Sequence, residues 1–155
     1  MRVGIGYDIH RLVSGRKLFL GGVEIPFHMG LEGHSDADVL IHAICDAMLG
    51  AAGEYDIGRH FPDTDPKYKD IQSAKLLDAV VDIIRAKGLS INNIDSVLIC
   101  EEPKVAPYAD RIKKNLSSIA GVAEDRIGVK ASTHEGIGPL GKCKGIACYA
   151  ICCLQ

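Results

Sequence analysis

Residues 2–10, RVGIGYDIH, carry the apolar strand pattern at the start of the chain. Successive strand side chains alternate faces, so Asp8 and His10 project on one side while Tyr7 and Ile9 project on the other. Residues 17–20 and 23–25 read as a hairpin across Gly21-Gly22. A loop leads to Ser35-Asp36-Ala37-Asp38, a predicted helix start with Ser35 as N-cap and Asp38 three residues on, in the style of a capping box. Val39, Leu40, Ala43, Ile44, Ala47, Met48 and Ala51 then recur at spacings of three and four, an apolar helical stripe that ends near Gly53. Residues 56–70, DIGRHFPDTDPKYKD, have no periodicity and read as a polar loop with at most a short turn of helix. A second helix is predicted over 73–87, a strand over 94–101 and a third helix over 107–120, with proline at its start and Gly121 past its end. Strands over 126–133 and 145–154 complete the pattern.

This order predicts a single α+β domain over residues 1–155, with helices on one face of a small mixed sheet of the four-stranded type. At 155 residues such a domain buries roughly 70% of the surface its unfolded chain exposes, enough for its own core. The last strand, GIACYAICCL, is apolar on both faces, which predicts that its second face meets another subunit.

Composition narrows the partners. The net charge is -2 and aromatics are 5% without tryptophan, so neither a nucleic-acid nor an anionic membrane surface is expected. The apolar run near 146–154 is too short to span a bilayer, and the first residues hold no secretory signal pattern. Cys45, Cys100, Cys143, Cys148, Cys152 and Cys153 include no Cys-x-x-Cys pair, and their apolar neighbours predict reduced, buried thiols in a cytoplasmic protein.

The candidate chemistry begins with Asp8 and His10. His42 lies one turn into the predicted helix, on the flank of its apolar stripe. Together they supply a carboxylate and two imidazoles, a three-ligand set for zinc with one position open. The residues alone leave a second reading open, a core histidine hydrogen-bonded to a buried aspartate. Asp38 and Asp46, one turn either side of His42, are candidates to hold its second ring nitrogen. Gly136 to Lys142 nearly matches a P-loop, but Cys143 replaces the hydroxyl and a strand follows where a helix is needed, so these glycines read as a turn. In Lys130-Ala-Ser-Thr-His-Glu135, Thr133 could hydrogen-bond a phosphate and Glu135 could hold magnesium. Lys104, after Pro103, could place an ammonium on a diphosphate.

GxDxH at 6–10, HSDADVxxH at 34–42, AMLGAA at 47–52, DIGxxFPDTD at 56–65, Pro103-Lys104, KASTxE at 130–135 and GIA at 145–147 form an ordered series over nearly the whole chain. In that series the sequence resembles the 2-C-methyl-D-erythritol 2,4-cyclodiphosphate synthase family, enzymes of the non-mevalonate isoprenoid pathway. The resemblance implies a homotrimer with three active sites built between neighbours. It implies a cytidine diphosphate substrate, 4-diphosphocytidyl-2-C-methyl-D-erythritol 2-phosphate, whose 2-phosphate attacks the β-phosphorus and expels cytidine monophosphate. Carried onto this sequence, Asp8, His10 and His42 bind zinc or another divalent transition metal, leaving one position for a β-phosphate oxygen. His34 and Ser35 meet the substrate's phosphates, Asp56 and Gly58 the erythritol hydroxyls, and Asp63 the same end. From the neighbouring subunit, Lys104, the backbone from Cys100 to Val105, and Ala131 with Ser132 hold the cytidine diphosphate, Thr133 its phosphates and Glu135 a magnesium or manganese ion. His34 and Thr133 are then the catalytic contacts.

An attacking phosphate is already an anion, so the barriers are charge repulsion and alignment, which metals, hydroxyls and a lysine address. The sequence departs from the family pattern at Ala37, where glycine is frequent, at Ser132 and His134, where threonines are common, and at Lys142 and Lys144. Two other readings stand beside this one: a metal-dependent phosphohydrolase acting on a related diphosphate, and a non-catalytic metal-binding assembly protein.

Overall fold

Strand β1, Arg2–Ser14, runs four residues beyond the predicted strand, because its second half gains its own partner. That partner is β4, Met29–Leu31, which follows the hairpin of β2, Leu18–Leu20, and β3, Val23–Ile25. Antiparallel pairing of Leu12 with Leu31 and Ser14 with Met29 extends β1 past His10. The structure, a computed structural model, describes every residue except Lys69.

Helix α1, Val39–Ala52, is followed by the short α2, Ile57–His60, and by α3, Ser73–Ala86. Strand β5, Ile91–Ile99, helix α4, Ala109–Ala120, and strand β6, Ile127–Ser132, form a β-α-β unit whose strands pair in parallel. A four-residue helix, α5, Gly138–Gly141, interrupts the glycine-rich turn before β7, Gly145–Leu154. Among the described residues the main sheet therefore has five strands in the order β4-β1-β7-β5-β6, where a four-stranded type was expected, and β2 and β3 pair apart from it. β4 is the additional strand; β2 and β3 are as short, but the Gly21-Gly22 turn marks them and nothing comparable marks β4.

Two predicted helix starts shift. Pro107 falls in a 3-10 turn, Ala106–Tyr108, ahead of α4. The N-cap of α1 is Asp38, not Ser35: its carboxylate accepts the Ile41 N–H at 3.1 Å, while Ser35 Oγ accepts the Ala37 N–H at 3.0 Å in the approach to the helix. Ala37 sits between them at φ 56, a left-handed conformation costing a non-glycine residue about 1–2 kcal/mol. The Asp38 carboxylate also accepts the Gly21 and Gly22 amides at 2.9 and 2.6 Å, so it ties the hairpin turn to the start of α1.

α1 is buried along its whole length except at His42, Asp46 and Gly50, which form one stripe at a spacing of four. The helix lies directly on β1. A Cβ on Gly4 would stand 2.1 Å from the Ala47 carbonyl oxygen, and one on Gly6 would stand 2.0 Å from that of Ala43. Only hydrogen at these positions permits such an approach. α3 covers α1 in turn, with Leu77, Val80, Val81 and Ile84 buried.

The opposite face of the sheet is apolar and open. Val3, Ile5, Tyr7 and Ile9 of β1 and Tyr149 and Ile151 of β7 are 45–69% exposed, and the Tyr7 and Tyr149 rings lie 4.7 Å apart. All six cysteines are free, five of them buried, and burial pushes the Cys100 and Cys152 thiols up to about 12, which keeps them protonated. Among the described residues no helix is long and apolar enough to cross a membrane.

Candidate functional site

The close seat of α1 on β1 brings His42 over the strand face that carries Asp8 and His10. His42 Nδ1 lies 3.0 Å from Asp8 Oδ2 and 3.2 Å from His10 Nε2, and His10 Nε2 lies 2.9 Å from Asp8 Oδ2. A tetrahedral zinc ion with donors at about 2.0–2.1 Å sets those donors about 3.3–3.4 Å apart, so the trio is near its bound geometry.

Each donor is fixed by what its other atom touches. Asp8 Oδ1 accepts the Ile9 N–H at 2.9 Å, turning Oδ2 toward the imidazoles. His10 Nδ1 lies 2.7 Å from the Glu32 carbonyl, which accepts only a proton-bearing nitrogen and so leaves Nε2 with its lone pair. His42 Nε2 lies 2.9 Å from Ser73 Oγ and 3.5 Å from Ser35 Oγ. Neither expected holder of that nitrogen touches it. Asp38 is committed to the hairpin amides, and Asp46 accepts the Ile57 N–H at 2.8 Å at the start of α2.

Burial opposes ionisation of Asp8, but hydrogen bonds and charge from His10 and His42 outweigh it and hold the carboxyl below its usual range. Burial likewise opposes protonation of His10, and the Asp8 contact outweighs it and raises its pKa. Without a metal, the Asp8 contact thus favours adding a second proton to His10 at Nε2, the position a cation would take.

A cavity of about 290 Å³ opens over the trio, lined by His10, Gly33, His34, Ser35, His42, Gly58, Asp63 and the apolar Ile57, Phe61, Tyr68 and Leu76. Four of the predicted substrate residues, His34, Ser35, Gly58 and Asp63, therefore meet the metal trio. Arg16 secures this wall by donating to the Gly33 and Ser35 carbonyls at 3.1 and 2.5 Å. Asp56 is not among the lining residues: its carboxylate lies beside Gly58, caps α2 by accepting the Arg59 N–H at 3.0 Å and lines a neighbouring depression with Tyr7 and Asp46.

The remaining predicted residues gather at the far side of the sheet. Asp8 pairs with Cys148, Cys148 with Leu98, and Leu98 with Ala131, so Ala131 lies on the same row three strands away, about 14 Å at normal strand spacing. There Cys100 donates its N–H to the Ser132 carbonyl at 2.9 Å, joining the ends of β5 and β6. Cys100 and Val105 are buried as whole residues. Lys104 is exposed, its ammonium 3.2 Å from the Glu101 carbonyl. Thr133 Oγ1 donates to Glu135 at 3.1 Å, and Glu135 adopts φ 51. Glu101, absent from the expected set, accepts the His134 and Gly136 amides at 2.7 and 3.2 Å and so holds this loop. None of these residues lines the cavity over the metal trio.

The YgbB family model matches residues 1–155. The chain belongs to the YgbB family. Within it, the 2-C-methyl-D-erythritol 2,4-cyclodiphosphate synthase of Gloeobacter violaceus is 52% identical over 155 residues, covering 100% of this chain and 95% of that protein. A solved 2C-methyl-D-erythritol-2,4-cyclodiphosphate synthase in a CDP-bound form superposes with a TM-score of 0.92 at 36% identity, covering 99% of this chain and 100% of the other. The bifunctional IspDF from Campylobacter jejuni matches at a TM-score of 0.95 and 40% identity over 99% of this chain, which spans 42% of that longer protein.

Proposed function

We infer that this YgbB family member is a phosphorus-oxygen lyase of isoprenoid biosynthesis, converting 4-diphosphocytidyl-2-C-methyl-D-erythritol 2-phosphate to 2-C-methyl-D-erythritol 2,4-cyclodiphosphate and CMP. The observation that carries the reading is the convergence of three donors from Asp8, His10 and His42, 2.9–3.2 Å apart, beneath a cavity walled by His34, Ser35, Gly58 and Asp63. In the reaction an oxygen of the 2-phosphate attacks the β-phosphorus, the bond from that phosphorus to the α-phosphate oxygen breaks, and CMP departs with the electron pair.

Asp8, His10 and His42 would hold zinc or another divalent transition metal, which supplies charge neutralisation at the phosphates. His34 and Ser35 receive the substrate's phosphates at the cavity wall and align attacking and leaving oxygens. Gly58 and Asp63, with Asp56 nearby, receive the erythritol end, while Phe61, Ile57 and Leu76 exclude water from it. Lys104, the backbone from Cys100 to Val105, Ala131 and Ser132 hold the cytidine diphosphate. Thr133 contacts its phosphates, and the Glu135 carboxylate would hold magnesium or manganese there.

These two groups of residues serve one substrate when the second comes from a neighbouring copy, in a homotrimer. The separation across the sheet supports this, as does the uncovered apolar face of β1 and β7. Free, buried thiols support a cytoplasmic location. Replacing His42 with alanine is expected to remove stoichiometric zinc and lower turnover by about 10³-fold or more, the loss of several kcal/mol of charge stabilisation. Phosphorus NMR should show cyclic diphosphate and CMP from the wild type. A linear product with free phosphate would overturn the assignment.

A further inference from the structure

Ser73 opens α3, is fully buried, and places its hydroxyl and its backbone N–H on two partners. Its hydroxyl donates to Asp36 Oδ1 in a very short hydrogen bond, and its backbone N–H donates to Asp36 Oδ2 at 3.0 Å. Because the single hydroxyl proton is committed to the carboxylate, Ser73 Oγ meets His42 Nε2 as an acceptor at 2.9 Å. Nε2 must then carry the imidazole proton, and the lone pair falls on Nδ1, the atom aimed at Asp8 and His10.

Asp36 is held in turn: its N–H donates to the Ile71 carbonyl at 3.2 Å, and Oδ1 also accepts the Asp38 N–H at 3.3 Å. Gln72, the N-cap of α3, makes no side-chain cap bond, so Asp36 performs that duty from a distant segment. One carboxylate thereby joins the approach to α1, the first residue of α3 and the ring of His42.

We propose that Asp36 and Ser73 are positioning residues that fix the tautomer and orientation of His42 and so set the affinity of the metal site. The proposal rests on the reading of Asp8, His10 and His42 as metal ligands. Partners of this kind, acting through a ligating histidine, change metal affinity by about 10–100-fold when removed. The carboxylate is specifically required, because both of its oxygens face donors. An asparagine at 36 that keeps the Ser73 N–H on its oxygen turns its amide nitrogen on the Ser73 hydroxyl, which then accepts and donates its own proton to His42 Nε2; turned the other way, the nitrogen opposes the Ser73 N–H.

The test is zinc binding to the metal-free, full-length protein in competition with a chromophoric chelator, alongside the visible spectrum of the cobalt-substituted protein. Ser73→Ala and Asp36→Asn should each raise the zinc Kd by about 10–100-fold at unchanged stoichiometry and shift the cobalt bands. Ser73→Thr, which keeps the hydroxyl, should recover most of the affinity. If Ser73→Ala fails to fold, Asp36→Asn decides the matter. Wild-type Kd and cobalt spectrum in the variants, with only a lowered Tm, would overturn the relay and leave these residues a structural role. His42→Ala separates the two levels. If it abolishes zinc binding while Ser73→Ala and Asp36→Asn do not weaken it, the relay alone falls; if the wild type binds no stoichiometric zinc, the metal reading falls and the relay with it.

Discussion

The cradle of Asp8, His10 and His42 and the loop that carries Thr133 and Glu135 are built to different standards. In the cradle, every ligand's second polar atom is occupied by a contact from the same chain: the Ile9 amide, the Glu32 carbonyl and the Ser73 hydroxyl. Beneath it, α1 is locked onto β1 at Gly4 and Gly6. At the far side of the sheet, Thr133 and Glu135 bond to each other, the loop rests on Glu101, and Lys104, Thr133 and Glu135 stand at or near the surface. A metal site can be completed within one chain, because three donors suffice and they lie on two packed elements. A groove for a long, charged substrate needs two walls, and the loop offers one.

Several changes would break or sharpen this contrast. The largest effect on the cradle without touching a ligand should come from Gly6→Ala. Its methyl would collide with the Ala43 carbonyl and lift α1 from β1, at a cost of about 3 kcal/mol or more. Chemical denaturation should register that loss, and zinc affinity should fall with it. An unchanged midpoint would mean that α1 is not seated as tightly as described.

At the loop, Glu135→Ala removes a charged contact worth about 1.5–3 kcal/mol, so KM should rise by about 10–100-fold. Zinc content and Tm should stay at wild-type values, which separates the two regions experimentally. Zinc loss in this variant would show that they are coupled inside one chain.

The smallest effect is a pH dependence confined to the cradle. Asp8 is held below its ordinary value of 3.8, so its contribution to the metal-free protein is present above that value and lost as pH falls. His10 is raised above 6.5, so its contribution is complete below 6.5 and lost as pH rises through the higher folded value. The metal-free pair is therefore most favourable between those limits, and zinc must displace the His10 proton there. The rise in Tm on adding zinc should be larger at about pH 8 than at about pH 5.5, because less of the His10 proton remains to be displaced. An equal rise at both values would contradict the proton displacement.

Much of this was legible in the sequence because the ligands sit in short, regular settings. Period-two alternation put Asp8 and His10 on one strand face, and helical periodicity placed His42 on the flank of an apolar stripe. Contact between them was not legible. It depends on Gly4 and Gly6 meeting the backbone of α1, and a glycine in a strand has several local explanations. Ser73 was hidden for a similar reason, since a serine at a helix start already has a bland use as a cap. Asp38 was misassigned because its partners, the Gly21 and Gly22 amides, come from a turn whose place only the fold decides. β4 was missed, and with it the extension of β1, because three residues carry no period and, unlike β2 and β3, β4 has no glycine turn to mark it.

The most direct test of a site shared between subunits uses two disabled variants in one assembly. His42→Ala lacks the cradle and Glu135→Ala lacks the loop, so each alone should turn over slowly at substrate concentrations well below the raised KM. Unfolded, mixed in equal amounts and refolded together, they should form random trimers in which about one quarter of the sites take both intact walls from neighbouring copies. Activity should therefore return to about a quarter of wild type at the same substrate concentration. A mixture no more active than the average of its two components would show that each chain works alone, and would contradict the shared site.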